Sequence, residues 1–296
     1  MENFRFEHPR TVLARYGLAA KKSWGQNFLV SEKAVRTISQ ECAMPDTPVL
    51  EIGGGLGTLT QGLLHFTSNH VTVIERDRDM CHVLCEEFSG HNRFSLIEGD
   101  AASFNYQEWL CNTGGIIAGN LPYQITGAIL KQVMQAGEHL KKAVFMVQQE
   151  VADRLCAPVS DSSRSALSVM VAARCVVKSV IRLKPTAFFP PPKVRSAAVS
   201  LVPHNENLLA AVSGNAFDKV VKAAFSKRRK TIRNSLSGSL CDREQTEQIL
   251  VDSAIPPSIR AQDMTVAQFV RLTEIVEKHQ LTWDNSHETT HMGDKL

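Results

Sequence analysis

No stretch of this sequence is apolar for the length of a membrane span, and the charged first ten residues leave no apolar core for a secretory leader. A protein of the cytoplasm, without a membrane partner, is expected. An amphipathic organelle-targeting segment is not excluded, although Glu2 and Glu7 weigh against one. Cysteine is scarce and scattered: the seven are Cys42, Cys81, Cys85, Cys111, Cys156, Cys175 and Cys241, with no C-x-x-C pair. An odd, dispersed set argues against a disulfide framework. Cys81 and Cys85 lie one helical turn apart with His82 between them, but no second cluster completes a tetrahedral site, so no metal is expected. Internal repeats are also lacking. What remains is an ordinary globular composition, 43% hydrophobic and 21% charged, and its 296 residues suffice for one large domain and one small one.

A local absence is more telling. Between Lys219 and Arg233 there is no acidic residue, while Lys219, Lys222, Lys227, Arg228, Arg229, Lys230 and Arg233 are basic. The net charge of the chain is only +3, so the rest of it is net acidic. Positive charge concentrated in one segment points to a polyanion, with a solvated helix face as the bland alternative.

From Pro48 to Gln148 strand and helix signals alternate. Val49–Ile52, Val71–Glu75, Phe94–Ile97, Ile116–Ala118 and Ala143–Val147 read as strands. Thr58–Leu64, Met80–Phe88 and Ile125–Met134 read as helices. This rhythm predicts a parallel, doubly wound α/β sheet. A helical stretch follows around Ala166–Ala173, then two β-rich runs, Val176–Leu183 and Ala197–Val202. The three prolines between them cannot join a ladder and predict a stiff extended loop. The polar segment His204–Asn215 reads as a domain boundary, and the remainder as helical. Val266, Phe269, Val270 and Val276 share one helix face, and Thr265 with Gln268 has capping-box spacing. The expected division is therefore 1–203 for a cofactor-binding catalytic domain, 204–284 for a helical nucleic-acid-binding domain, and 285–296 for a disordered tail.

Strand Val49–Ile52 runs into Gly53-Gly54-Gly55-Leu56-Gly57-Thr58, with Glu51 just before it. Glycines there permit a tight turn and close backbone approach to a ligand. The dinucleotide fingerprint needs Gly or Ala where Thr58 stands. The pattern favours a nucleoside without a pyrophosphate, S-adenosylmethionine, over NAD. Glu75, 22 residues beyond Gly53, closes the next strand and can bind ribose hydroxyls. Gly99-Asp100-Ala101 closes the third strand, where a short acid can bond an adenine amino group. Asn120-Leu121-Pro122-Tyr123 closes the fourth. An asparagine oxygen can accept from an exocyclic amine and a tyrosine face can stack on a base. Together they can hold an amino-bearing base while a group is transferred to its nitrogen. Taken alone, the same four residues are also ordinary turn chemistry.

The sequence resembles the KsgA-type small-subunit ribosomal RNA adenine dimethyltransferases over about residues 10 to 280. Lys21–Leu29 is similar to the family's G-Q-N-F-L segment, Glu51–Gly57 to its glycine-rich turn, and Asn120–Tyr123 to its N-L-P-Y. Phe188-x-Pro190-x-Pro192-Lys193-Val194-x-Ser196 resembles its F-x-P-x-P-K-V-x-S. Ala224–Leu236 resembles its basic helical signature. Three positions depart from the pattern: Gly54 where proline is common, Lys227 where glutamine is common, and Trp24 where a small or aliphatic residue is more usual.

The resemblance implies a Rossmann-like class I methyltransferase sheet with a smaller C-terminal helical domain. It implies S-adenosylmethionine held by Asn27, Leu29, Gly53, Gly55, Glu75, Asp100, Ala101 and Asn120. The target base would be held by Asn120, Leu121, Tyr123 and Phe188. Lys222, Lys227, Arg228, Arg229, Lys230 and Arg233 would face RNA. The implied substrate is a pair of adjacent adenosines in the 3′-terminal hairpin of small-subunit rRNA, within an immature small subunit, each dimethylated at N6. A monomer is expected. Three rivals stay open at this point: a resistance-type methyltransferase of large-subunit rRNA, a ribosome-assembly factor whose catalysis is incidental, and a DNA amino-methyltransferase.

Overall fold

The computed structural model describes residues 4, 6–21, 24–135, 137 and 139–279. The expected tail, 285–296, lies outside the described residues. In chain order the elements are α1 (Pro9–Arg15), β1 (Phe28–Leu29), α2 (Glu32–Glu41), β2 (Val49–Ile52), α3 (Thr58–Phe66), β3 (Val71–Glu75), α4 (Arg78–Phe88), β4 (Phe94–Glu98), α5 (Tyr106–Thr113), β5 (Gly115–Asn120), α6 (Thr126–Gln135), β6 (Leu140–Gln148), α7 (Gln149–Leu155), α8 (Ala166–Ala172), β7 (Cys175–Leu183), β8 (Phe188–Phe189), β9 (Ser196–Pro203), α9 (Gly214–Phe225), α10 (Ile232–Leu236), α11 (Arg243–Asp252) and α12 (Val266–Lys278). None of the described helices is long and apolar enough to cross a membrane.

Seven strands form one sheet in the order β4-β3-β2-β5-β6-β9-β7. Strands β2 to β6 pair in parallel, and β9 runs antiparallel to β6. The chain moves outward from β2 through β3 to β4, then returns to the other side of β2 with β5. The order therefore reverses between β2 and β5, and a crevice opens beyond their carboxyl ends. Buried on both faces, β5 reads as an apolar run up to Asn120 and β2 as one broken only by Glu51, rather than as alternating strands. They approach closely: a Cβ on Gly119 would lie 2.6 Å from the Ile52 carbonyl oxygen. The β-rich runs expected after α8 join this same sheet at its far edge.

The triple proline stays out of any ladder, as the sequence requires. The two residues before it do not. Phe188 and Phe189 pair antiparallel with Leu29 and Phe28. This two-residue sheet fastens the G-Q-N-F-L segment to the proline loop. Helices α1, α2, α5 and α7 were not among the expected elements; α5 is a short, largely polar helix started by the Asn105 cap, which accepts from Glu108 N–H.

The chain divides into two compact units, but not with a single cut at 204. One unit comprises 1–152 and 177–203; the other comprises 153–176 and the chain from 204 onward. The reason lies in long-range packing. Val169 and Ala173 share a buried cluster with Phe217, Val220, Val221, Phe269 and Leu272. Arg174 makes a 2.9 Å ion pair with Asp218, and Arg164 donates to the Gln262 and Met264 carbonyls. In this second unit α12 begins with the expected capping box of Thr265 and Gln268.

The departure at Gly54 has a packing basis. A Cβ there would meet Val73 Cγ1 at 2.5 Å and Leu84 Cδ1 at 3.0 Å. Those two side chains, on β3 and α4, fill the space that a larger residue would need. Gly54→Ala is therefore expected to lower stability by about 1–3 kcal/mol through overpacking. Chemical denaturation would measure it, and the double variant with Val73→Ala should lose less stability than the two single losses added together.

Candidate active site

The turn after β2 is shaped by Gly53 and Gly55, whose φ values of 72° and 55° lie in the left-handed region that glycine adopts without strain. The conformation turns Gly55 N–H toward the end of β3, where it donates to Glu75 Oε2 at 3.0 Å. Glu75 Oε1 accepts from the N–H groups of Arg76 and Asp77 at 2.8 and 2.9 Å. Burial pushes the Glu75 carboxyl upward, and the three backbone donors oppose that shift. A carboxylate offers about four acceptor positions, so three donors leave roughly one for a ligand hydroxyl.

Asp100 follows β4. Its Oδ1 accepts from Ala102 N–H at 2.8 Å, and its Oδ2 lies 3.3 Å from an Arg76 guanidinium nitrogen. Asn120 ends β5, and its Nδ2 donates to the Asn27 carbonyl at 2.8 Å. A carbonyl only accepts, so this bond fixes which amide atom faces Asn27 and leaves Oδ1 as an acceptor. Tyr123 is anchored by a 2.9 Å hydrogen bond between its hydroxyl and Ser196 Oγ, and burial raises its phenol. The bond joins the Asn-Leu-Pro-Tyr corner to the last residue of the proline-loop motif.

These residues meet on one crevice of about 430 Å³. Asn27, Leu29, Gly53, Gly55, Glu75, Asp100, Ala101, Asn120, Leu121 and Tyr123 all line it. Phe188 does not. It is 3% exposed and packs in the sheet core with Leu29, its register partner. Successive strand residues face opposite ways, so Phe189 turns elsewhere, toward the His8 ring and the Arg10 guanidinium. The expectation that Phe188 stacks on a base is corrected accordingly: its pairing with β1 sends it inward.

The basic segment, expected to be helical, is interrupted. Residues 226–230 form an exposed turn between α9 and α10. Lys222, Lys227, Arg228, Arg229 and Lys230 are exposed. Lys227 and Arg228 donate to the Asn234 and Ser162 carbonyls. Arg233 is half-buried and lies 3.6 Å from Glu247.

Sequence reasoning passed over three wall residues. In the sequence Trp24 stands out only as a departure from the family pattern and Glu51 only as the acid before the glycines, while Arg76 carries no signal. Glu51 sits in β2 between Val73 of β3 and Ala118 of β5. It accepts from the Thr60 hydroxyl at 2.6 Å. Full burial pushes its carboxyl up to about 8. An acid interrupting an otherwise apolar strand was the available signal.

The ionisable lining is Glu51, Glu75 and Asp100 against Arg76, and with Glu51 kept neutral by burial the acidic charge comes from Glu75 and Asp100. That balance disfavours a pyrophosphate and suits a cationic nucleoside. Spare acceptors at Glu75, the close-approach glycines and the cavity's size fit S-adenosylmethionine.

Glu51 holds its proton in the folded chain up to about pH 8, whereas an unfolded glutamate releases it near pH 4.3. Its contribution to stability is thus fully present below the unfolded value and is lost as pH rises toward 8. Glu51→Gln is expected to flatten the decline of the urea midpoint between pH 5 and 8. Glu75 is unchanged in that variant, so the difference in slope isolates Glu51.

Comparison with known proteins agrees with this geometry. Residues 17–278 match the family described as ribosomal RNA adenine dimethylase. The chain is 38% identical over 279 residues to the ribosomal RNA small subunit methyltransferase A of Anaeromyxobacter sp. strain K, covering 90% of this chain and 97% of that protein. It is 36% identical over 265 residues to the protein of the same name from Pseudomonas fluorescens, covering 88% and 95%. A dimethyladenosine transferase from Plasmodium falciparum has the same fold, with a TM-score of 0.73 at 24% identity and coverage of 86% and 99%. The 23S rRNA methyltransferase ErmE has a TM-score of 0.64 at 27% identity, covering 85% and 100%. The glycine turn, the Asn-Leu-Pro-Tyr corner and the crevice they share all fall within the matched span, and the chain belongs to the ribosomal RNA adenine dimethylase family.

Proposed function

We propose that this chain transfers methyl groups from S-adenosylmethionine to N6 of two adjacent adenosines in the 3′-terminal hairpin of small-subunit rRNA, within an immature small subunit. The observation that carries the reading is the amide of Asn120, held by the Asn27 carbonyl so that Oδ1 is left to accept from an amine. When bound, S-adenosylmethionine supplies a methyl group already activated on a cationic sulfur. The chain supplies position. Asn120 Oδ1 and the Leu121 carbonyl accept from the adenine amine, drawing its lone pair out of ring conjugation and toward the cofactor. Tyr123, steadied by Ser196, offers a face for the flipped base. Glu75 and Asp100 grip the ribose and adenine of the cofactor, and Asn27, Leu29, Gly53, Gly55 and Ala101 line its seat. No strong base is required, because the amine becomes acidic once methylated.

The relatives named for the small subunit cover nearly the whole chain at 36–38% identity, which favours that rRNA over the large-subunit substrate named for ErmE. The exposed cations at Lys222, Lys227, Arg228, Arg229 and Lys230, with Arg233, support a surface that reads RNA shape and phosphate without a base code.

Asn120→Ala is expected to lower tritiated-methyl transfer to undermethylated small subunits by at least about a hundredfold, a loss in keeping with misplaced reactants. Cofactor binding, followed by calorimetry, should survive in part. Near-normal turnover would refute the role given to Asn120. Primer-extension mapping of both rRNAs identifies the adenosines modified. Reversing the charge at Arg228 and Arg229 should weaken RNA binding and reduce the slope of log K against log salt by about 1–2, since each neutralised phosphate contributes roughly 0.7–0.9. An unchanged slope would leave those residues as a solvated turn.

A further inference from the structure

Trp24 is an exposed indole, 39% accessible, on the wall of the crevice. An indole joins a large apolar ring to a polar N–H, and tryptophan is enriched at contact surfaces for that reason. Its segment is tied down on both sides of the crevice. Gln26 Nε2 donates to Asp77 Oδ2 at 2.7 Å, beyond β3. The Asn27 carbonyl accepts from Asn120, at the end of β5. The Arg76 guanidinium lies 4.5 Å from the Trp24 ring centroid and reaches Asp100 Oδ2 at 3.3 Å. Lys21 also lies over the ring, at 5.1 Å, but its ammonium is ion-paired with Asp77 and Asp79 at 2.7 Å each. Trp24, Arg76 and Asp100 thus form a chain of ring, planar cation and carboxylate around one end of the cavity.

We propose that Trp24 is a binding residue for the nucleobase of the cofactor, with Arg76 as the residue that positions it against Asp100. The inference rests on the crevice being a nucleoside-cofactor site, as read above. A planar guanidinium stacks on aromatic faces and donates in its own plane. Arg76 therefore holds the indole with one surface and the carboxylate with one edge. A base entering this end meets two flat π surfaces and an acceptor for its amino group. The Arg76–Asp100 pair is exposed, 51% and 42% at the side chains, so it is weak and can yield an acceptor to the ligand. The other acidic groups near Asp100 and Arg76 are Glu75, Asp77 and Glu98. Glu75 and Asp77 are engaged by backbone, Gln26 and Lys21, and Glu98 by Arg78. Arg76 is the only cation lining the crevice among the described residues.

The test uses the full chain and S-adenosylhomocysteine, which carries the same nucleoside without the sulfonium. Trp24→Leu is expected to raise its Kd and the KM for S-adenosylmethionine by about threefold or more, the range of one stacking contact, with kcat at saturation changed less than about twofold. Trp24→Phe should restore most of the affinity. In a chain carrying Trp109→Phe and Trp283→Phe, Trp24 emission should change on ligand addition. Unchanged Kd and silent Trp24 emission would overturn the assignment. A rise in KM for the RNA alone would also overturn it, placing Trp24 on the substrate path. If the unaltered chain fails to bind S-adenosylhomocysteine, the cofactor reading falls and this inference with it. Unaltered binding with an indifferent Trp24→Leu removes only the inference.

Discussion

The hydrogen bond from Asn120 to the Asn27 carbonyl joins parts of the chain that are 93 residues apart, and the arrangement of the crevice depends on it. Asn120 is delivered by the last residue of β5, at the point where strand order reverses. Asn27 is delivered by a segment with little secondary structure of its own. The segment is held by this bond, by Gln26 on Asp77, and by the pairing of Phe28 and Leu29 with Phe189 and Phe188. The bond also does chemical work, because an amide that gives its N–H to a carbonyl must present its oxygen elsewhere. A single contact therefore ties two walls of the crevice together and fixes which atom of the amide is left to accept.

The electrostatics of the crevice follow from burial as much as from residue count. Three carboxyls line it, but they differ in state. Glu51, enclosed by neighbouring strands and bonded to Thr60, keeps its proton at neutral pH. Glu75 is held between opposing influences, burial against three backbone N–H donors. Asp100 is half-exposed and shared with Arg76. The resulting field is acidic without being a cluster of bare anions, and it is unlike a phosphate cradle. Four consecutive cations, Lys227 to Lys230, stand instead in the exposed turn at 226–230, which belongs to the other compact unit.

Much of the sheet was legible in the sequence because buried parallel strands are apolar runs bounded by turn residues. The Val49–Ile52 and Val71–Glu75 strands lie where that pattern puts them, and the polar residues at their carboxyl ends line the cavity. What escaped the sequence depends on pairing at long range. Residues 153–176 look like part of the first domain until Val169 and Ala173 are seen against Phe217 and Phe269. Phe188 belongs to an aromatic pair before a proline loop, and only its register with Leu29 decides which ring is buried. Arg76 and Trp24 have no motif of their own. Their roles emerge from a 4.5 Å approach that no spacing encodes.

The departures from the family pattern bear on the same wall. At Gly54 the room that a larger side chain would occupy is taken by Val73 and Leu84, so the turn is packed from beneath by the sheet and α4. At Trp24 the change runs the other way, adding a large ring above the crevice where a smaller residue is more usual. The added ring is matched by an arginine placed directly after Glu75, whose guanidinium meets it and Asp100 together. A bulky surface aromatic without such a partner would expose apolar area at a cost. With it, the same area becomes a wall of the cavity. Each position is thus intelligible only with its neighbours, Gly54 with Val73 and Leu84, and Trp24 with Arg76.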